Sequence, residues 1–190
     1  MGKLFEVIDE RLAGFIRAQR VFFTGSAPLG PEGHVNVSPK GLDSLRILGP
    51  RQVAYLDLVG SGVETIAHLR ENGRICLMFC AFEGPPRIVR LHGQGRVVEP
   101  GAGEWEALFA HFEPHAGARA ILLVDLERIA DSCGYGVPLY RFEAPRDQLG
   151  KWVDRKGAEG LRRYQAENNA RSLDGLPGVR ATGGPGPTDP

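Results

Sequence analysis

His34-Val35-Asn36-Val37-Ser38-Pro39-Lys40-Gly41 opens the stretch that decides the fold, and Arg74-Ile75-Cys76-Leu77-Met78-Phe79-Cys80-Ala81-Phe82 closes it. The first segment alternates and ends in a serine, a proline and a lysine. Between the two lie Val53-Ala54-Tyr55-Leu56-Asp57-Leu58, a second strand-like run, and the loop Gly60-Ser61-Gly62-Val63-Glu64-Thr65. That loop leads into Ile66-Ala67-His68-Leu69-Arg70, a short helical pattern, and the closing run is long and apolar enough for a buried strand. Gly60 and Gly62 let the backbone turn tightly and approach a ligand closely. A helix starting just after them leaves several N–H groups unpaired at an end with partial positive charge, so it can hold a phosphate. Ser38 and Thr65 offer hydroxyls to the same anion, and Lys40 offers a full charge. A plain capped turn beside a solvated lysine is the competing reading, since short Gly-rich turns before helices are common.

Outward from this stretch the chain reads as strands broken by short helices. Leu4, Val7, Ile8, Leu12, Phe15 and Ile16 have the spacing of one or two short helices between Leu4 and Arg20. Val21–Ser26 reads as the first barrel strand, separated from the His34 strand by Gly30-Pro31-Glu32-Gly33. Leu45–Leu48 and Val53–Leu56 form a hairpin around Gly49-Pro50, and a helix covers Glu64–Asn72. Arg74–Phe82 and Arg87–Glu99 flank a Gly-Pro-Pro turn, and Gly93 and Gly95 mark a bend or bulge in the second of them. Gly103–Phe112 is a compact helical pattern with Trp105, Leu108 and Phe109 on one stripe, and Ala118–Ile129 is one more long strand. About six antiparallel strands with peripheral helices predict a mainly β (α+β) barrel. Residues 1–178 read as a single domain. Within it, residues 144–178 form a helical extension whose Gln148–Asn169 segment is divided by Gly157 and Gly160. Residues 179–190, rich in Gly and Pro, read as a disordered tail.

Composition narrows the function classes. The 190 residues carry 23 basic and 23 acidic side chains, and nucleic-acid binding usually brings a clear basic excess. No apolar run approaches the roughly 20 residues needed to span a bilayer. Glu6, Asp9 and Glu10 interrupt the N-terminus where a secretory segment would be apolar. These features predict a cytoplasmic protein with neither nucleic acid nor membrane as partner. Three cysteines do not make a disulfide framework, and Cys76, Met78 and Cys80 share one strand face as expected core residues.

Few side chains suggest chemistry of their own. His111 and His115 lie four apart, but Pro114 between them disfavours a continuous helix, so no metal site is expected. His68 reads as a helix residue packed against the barrel, and His34 as a turn residue close to the proposed ligand strand. Arg87, following the Pro-Pro turn, is preferred over Arg90 as a contact to a cofactor phosphate or ring edge. Two exposed arginines beside Glu83 and Glu99 are the equally weighted alternative.

The ordered motifs together resemble the pyridoxamine 5′-phosphate oxidase-like superfamily of FMN-binding split barrels, in its bacterial branch of unassigned substrate. The resemblance is carried by His34–Gly41, Tyr55-Leu56-Asp57, Gly60–Leu69, Glu83–Arg90, Cys133-Gly134-Tyr135-Gly136-Val137-Pro138 and Ser172-Leu173-Asp174-Gly175-Leu176-Pro177-Gly178. It implies an FMN whose phosphate is held by the Ser38–Lys40 strand end and the Gly62–Thr65 loop. Asn36, Val37, Ser38, Lys40, Leu56, Gly62, Val63, Glu64, Thr65 and Arg87 are the implied cofactor-binding residues. It also implies a homodimer with two flavins at the interface, the Cys133–Pro138 and Ser172–Gly178 segments being candidates to cover the partner's flavin. The implied activity is that of an FMN-dependent oxidoreductase on an unknown small molecule. Flavin chemistry asks little of side chains, because the protein supplies orientation and water exclusion. Val63 stands where the branch often has Asn. Tyr140–Asp147 lacks the substrate-gripping motif of true pyridoxamine phosphate oxidases, and Ser132-Cys133 replaces an expected aromatic residue. A non-catalytic flavin-binding or redox-sensing module is therefore an alternative, as is a split barrel holding a deazaflavin or haem.

Overall fold

Gly73 sets the end of the first helix to consider. It adopts φ 71°, and its N–H closes on the Leu69 carbonyl, stopping the helix Glu64–Asn72 one residue earlier. In the computed structural model, which describes residues 2–180, this helix is α2. The others are α1 (Glu10–Ala18), α3 (Trp105–Phe109) and α4 (Gln148–Asn168). The strands are β1 (Leu4–Phe5), β2 (Phe22–Ser26), β3 (Asn36–Lys40), β4 (Leu45–Gly49), β5 (Gln52–Leu58), β6 (Arg74–Cys80), β7 (Ile88–Val98) and β8 (Ala118–Ser132). One helix rather than two forms before Arg20. Asp9 caps it, its Oδ1 accepting the Leu12 N–H at 2.7 Å, while Leu4–Phe5 pairs with β8 as a short strand.

All pairings are antiparallel, and the sheet runs β3-β2-β6-β7-β8-β5-β4 with β1 off the path against β8. The two end strands, β3 and β4, do not pair with each other, yet the four residues Gly41–Ser44 join them. The sheet is thus curled round on itself and left open along one seam: a split β-barrel with helices outside it. The bend expected at Gly93 is present as a register shift between His92 and Gly93. A Cβ at Gly93 would collide with the Asp125 carbonyl across the ladder, so the close approach requires glycine.

Alternation builds two cores from the central strands. Val53 and Tyr55 of β5, with Leu122 and Val124 of β8, join Phe22, Leu77, Phe79, Leu91 and the buried faces of α1 and α2. Ala54, Leu56, Ile121 and Leu123 point the other way onto Trp105 and Phe112. Burial of both faces explains why these strands read as continuous apolar runs. On β6 the core face is Ile75, Leu77 and Phe79. Cys76 and Met78 lie half-buried on the opposite face and only Cys80 is buried there, correcting the expectation that all three sit in the core.

The C-terminal extension packs as an addition to the barrel. Gly157 interrupts α4 with φ 61° and ψ 173°, so the expected division occurs at Gly157. Val153 and Leu161 from the two halves bury against Val59. Ordered packing continues past Gly178: the Val179 N–H bonds to the Asn169 carbonyl at 2.8 Å, and Val179 lies against the main core. The rest of the expected tail, residues 181–190, lies outside the described residues.

Candidate functional site

β3 alternates half-buried and exposed residues, which puts Asn36, Ser38 and Lys40 on one face and Val37 and Pro39 on the other. The inward row meets the first turn of α2. Asn36 Nδ2 donates to Thr65 Oγ1 at 2.9 Å, and Ser38 Oγ donates to Asn36 Oδ1 at 3.0 Å. Behind them the buried His68 Nδ1 lies 2.9 Å from Ser26 Oγ. Burial holds the His68 imidazole below its ordinary pKa, with Asp174, Glu64 and Glu71 pulling the other way. The strand end and the helix start proposed from sequence are thus neighbours, joined by a direct side-chain bond.

Lys40 is not a free cation. Its Nζ lies 2.9 Å from Asp57 Oδ1, and Arg119 Nε takes the other carboxylate oxygen at 2.7 Å. Arg119 Nη2 also donates to the Gly62 carbonyl at 2.8 Å, so one guanidinium links the β5 carboxylate to the loop ahead of α2. Burial raises the Asp57 carboxyl, but the charges and hydrogen bonds of Lys40 and Arg119 outweigh it and hold the group below its ordinary value. A single carboxylate between two cations leaves a net charge of about +1 beside the loop. Tyr55, wholly buried in the same region, has its phenol pushed well up by burial and by Asp57.

The loop itself is uncapped by any side chain. Val63 occupies the N-cap position and is buried, with no side-chain bond to the helix. The segment after α4 straps this loop from outside. Asn169 Nδ2 donates to the Gly60 carbonyl at 2.9 Å, and the Leu173 N–H donates to Glu64 Oε1 at 3.3 Å. Asp174 accepts from the His34 N–H at 2.8 Å and lies 2.6 Å from His34 Nδ1. Gly178 fits against Val63 so closely that a Cβ would strike it. Ser172–Gly178 therefore rests on the loop of its own chain.

Of the residues expected at the site, Asn36, Ser38, Lys40, Gly62, Val63, Glu64 and Thr65 come together here. Three do not join them. Val37 is 65% exposed on the outer face. The Leu56 side chain is buried toward α3, because residues 55 and 57, not 56, share the site's face of β5. Arg87 pairs with Asp131 at 3.0 Å and stacks over Phe15, its guanidinium 4.9 Å from the ring centre. Asp57 and Arg119 were missed as site residues, since each is a lone charge within an apolar run of its strand. The one available signal was a charge inside a run otherwise buried on both faces. Among the described residues no group of three or more His, Cys, Asp or Glu could hold a metal ion. No helix among these residues is long and apolar enough to cross a membrane.

Residues 8–133, from α1 through β8, match the family model described as pyridoxamine 5′-phosphate oxidase. The chain belongs to the pyridoxamine 5′-phosphate oxidase family. A curated relative, the pyridoxamine 5′-phosphate oxidase family protein ustO of Aspergillus flavus, is 40% identical over 95% of this chain and 79% of its own length. That relative is fungal, so the likeness reaches beyond the bacterial branch inferred from the motifs. Among solved structures, HupZ from group A Streptococcus superposes with a TM-score of 0.52 at 20% identity, over 66% of this chain and 99% of that one. A candidate pyridoxamine 5′-phosphate oxidase from Lactobacillus delbrueckii gives a TM-score of 0.50 at 17% identity, over 67% and 98% of the two chains. At such identities these two likenesses speak for the fold.

Proposed function

We propose that this member of the family binds FMN between β3 and the N-terminus of α2 and works as a flavin-dependent oxidoreductase on a small molecule. The observation that carries the reading is the 2.9 Å bond from Asn36 to Thr65, which sets a row of polar side chains against an uncapped helix start. A phosphate there would meet the Ser38 and Thr65 hydroxyls, the first N–H groups of α2 and the net positive charge of Lys40, Asp57 and Arg119. The nearby carboxylates of Glu64 and Asp174 are already engaged by Leu173 and His34, which lessens their opposition to an anion. When bound, the flavin would supply hydride or electron transfer. This chain's residues would anchor its phosphate, fix its position and exclude water.

Freshly purified protein is expected to be yellow, or to take up added FMN with a saturable change in absorbance. A colourless protein that takes up none would remove the reading. Lys40→Ala should weaken FMN retention by about tenfold or more, the worth of one charge-assisted contact of roughly 1.5–3 kcal/mol. Riboflavin, lacking the phosphate, should bind wild type and Lys40→Ala alike.

A second reading, a flavin-binding or redox-sensing module without turnover, is favoured by the Tyr140–Asp147 segment, whose sequence departs from the substrate-gripping motif and which lies along its own chain, the Tyr140 N–H bonding the Phe82 carbonyl at 2.8 Å and the Phe142 N–H bonding Glu83 Oε1 at 2.9 Å. NADH or NADPH reduction of the bound flavin followed by rapid oxygen reoxidation would decide for the enzyme. We place the protein in the cytoplasm and take the barrel with its C-terminal extension as one domain that assembles as a homodimer. Exposed Val35, Val37, Tyr135, Leu139 and Phe142 support a further contact surface. Sedimentation at 20.7 kDa would instead mean a monomer.

A further inference from the structure

Arg119 has a second face. Besides Asp57 and Gly62 it lines a cavity of about 340 Å³, together with Glu99, Leu161, Arg162, Gln165 and Arg180. Its side chain is only 5% exposed, and its third guanidinium nitrogen, Nη1, is buried with no hydrogen-bond partner among the described residues. Leaving a charged donor unpaired in this way is costly. On α4, Leu161, Arg162 and Gln165 recur at the spacing of one helical stripe, so this stripe faces the cavity beyond the Gly157 break.

Charge at the cavity is one-sided. Three arginines line it, Arg119, Arg162 and Arg180, against one acidic residue, Glu99. Both Glu99 oxygens are engaged: Oε2 takes Arg70 Nη2 at 2.6 Å, and Oε1 takes the Arg180 N–H at 2.8 Å. Among the described residues no acceptor is bonded to Arg119 Nη1. Leu161, Ala118, Ala158 and Val179 add an apolar wall, enough to seat a short carbon chain behind a charged head.

We propose that this cavity is a binding site for a small anion bearing a carboxylate or phosphate, seated on Arg119 at its buried base and on Arg162 at its exposed mouth. The site is separate from the β3–α2 cleft and does not depend on a flavin occupying it. It touches that cleft through one group, since the guanidinium receiving the anion is the one that holds the Gly62 carbonyl. An anion there would draw on Nη1 while Nε and Nη2 keep Asp57 and the loop.

The test is calorimetric titration of the full chain with inorganic phosphate in one arm and succinate in the other, which separates the two head-group chemistries. Saturable binding of at least one probe is expected. Arg162→Glu, at an exposed helix position, should weaken it by about tenfold or more, while Arg163→Glu, one residue on and outside the cavity lining, leaves it unchanged. Three results would overturn the proposal: neither probe binds saturably, Arg162→Glu leaves binding unchanged, or Arg163→Glu weakens binding as much as Arg162→Glu does. The second would put the anion outside this cavity, and the third would reduce the effect to general surface charge.

Discussion

Asp57 concentrates the electrostatics of the cleft in one side chain. It is 1% exposed and neutralises parts of two cations. Asp57→Asn would leave Lys40 and Arg119 facing each other across a neutral amide. Breaking such a buried arrangement costs about 3–5 kcal/mol, and urea melts at pH 7 should register a loss of that order. The pH dependence has a defined sign. The folded carboxyl titrates below its unfolded value of about 3.9, so the stability it contributes is present above that pH and is lost as the pH falls through the folded value. Asp57→Asn should lack that acid limb. His68 acts at milder pH by the same sign. Its folded pKa lies below the unfolded value of about 6.5, so its contribution is full above that pH and declines as pH falls toward the folded pKa. His68→Gln should flatten the fall in melting temperature between pH 7 and 5. An imidazole that stays charged at pH 7 by NMR would contradict this.

Elements, rather than residues, decide how the two halves of the cleft are held. The turn Gly41–Ser44 carries the chain across the open seam with two consecutive left-handed residues, Leu42 at φ 56° and Asp43 at φ 52°. The Ser44 N–H returns to the Gly41 carbonyl at 3.3 Å, the pattern of a type I′ turn. Asp tolerates this conformation, whereas Leu pays about 1–2 kcal/mol for it. Leu42→Gly should therefore stabilise the protein by about 0.5–1 kcal/mol after the entropy of glycine is subtracted, raising the melting temperature by roughly 2–4 °C per kcal/mol. The strap is the opposite case. Gly178→Ala would push a methyl into Val63 and the Asn169 carbonyl, with an expected cost of about 1–3 kcal/mol. Hydrogen exchange should speed up at residues 60–65 and 169–179 together, and an isolated change in the strap would mean the two are not coupled.

At the scale of the molecule, what could be read in advance follows from periodicity. The helix Glu64–Asn72 was legible to the residue because Gly73 stops it, and β7 with its bulge was legible from two glycines in an apolar run. Neighbouring of Ser38 and Thr65 was legible only through ordered motifs spread along the chain. The Asp57–Arg119 pair was not: its members are 62 positions apart, and nothing local in either strand specifies the register that joins them. The same limit hid the strap, whose hold on Gly60 and Glu64 depends on side chains of Asn169 and on backbone groups far away in sequence. Arg87 shows the reverse error. A cation after a turn looked available, and a carboxylate and a ring from two other elements had already claimed it.

β8 pairs along its fifteen residues with β7, β5 and β1. During synthesis, then, residues 2–117 leave the ribosome without the strand that joins the second hairpin to the rest. Strands β5 and β1 must wait, their unmet edges open to other chains. A nascent chain halted at Gly117 should show no cooperative melt and should be held by chaperones, whereas one extended through Ser132 should acquire both protease resistance and release. This late closure gives the cell a single moment at which the barrel either forms or is handed to degradation.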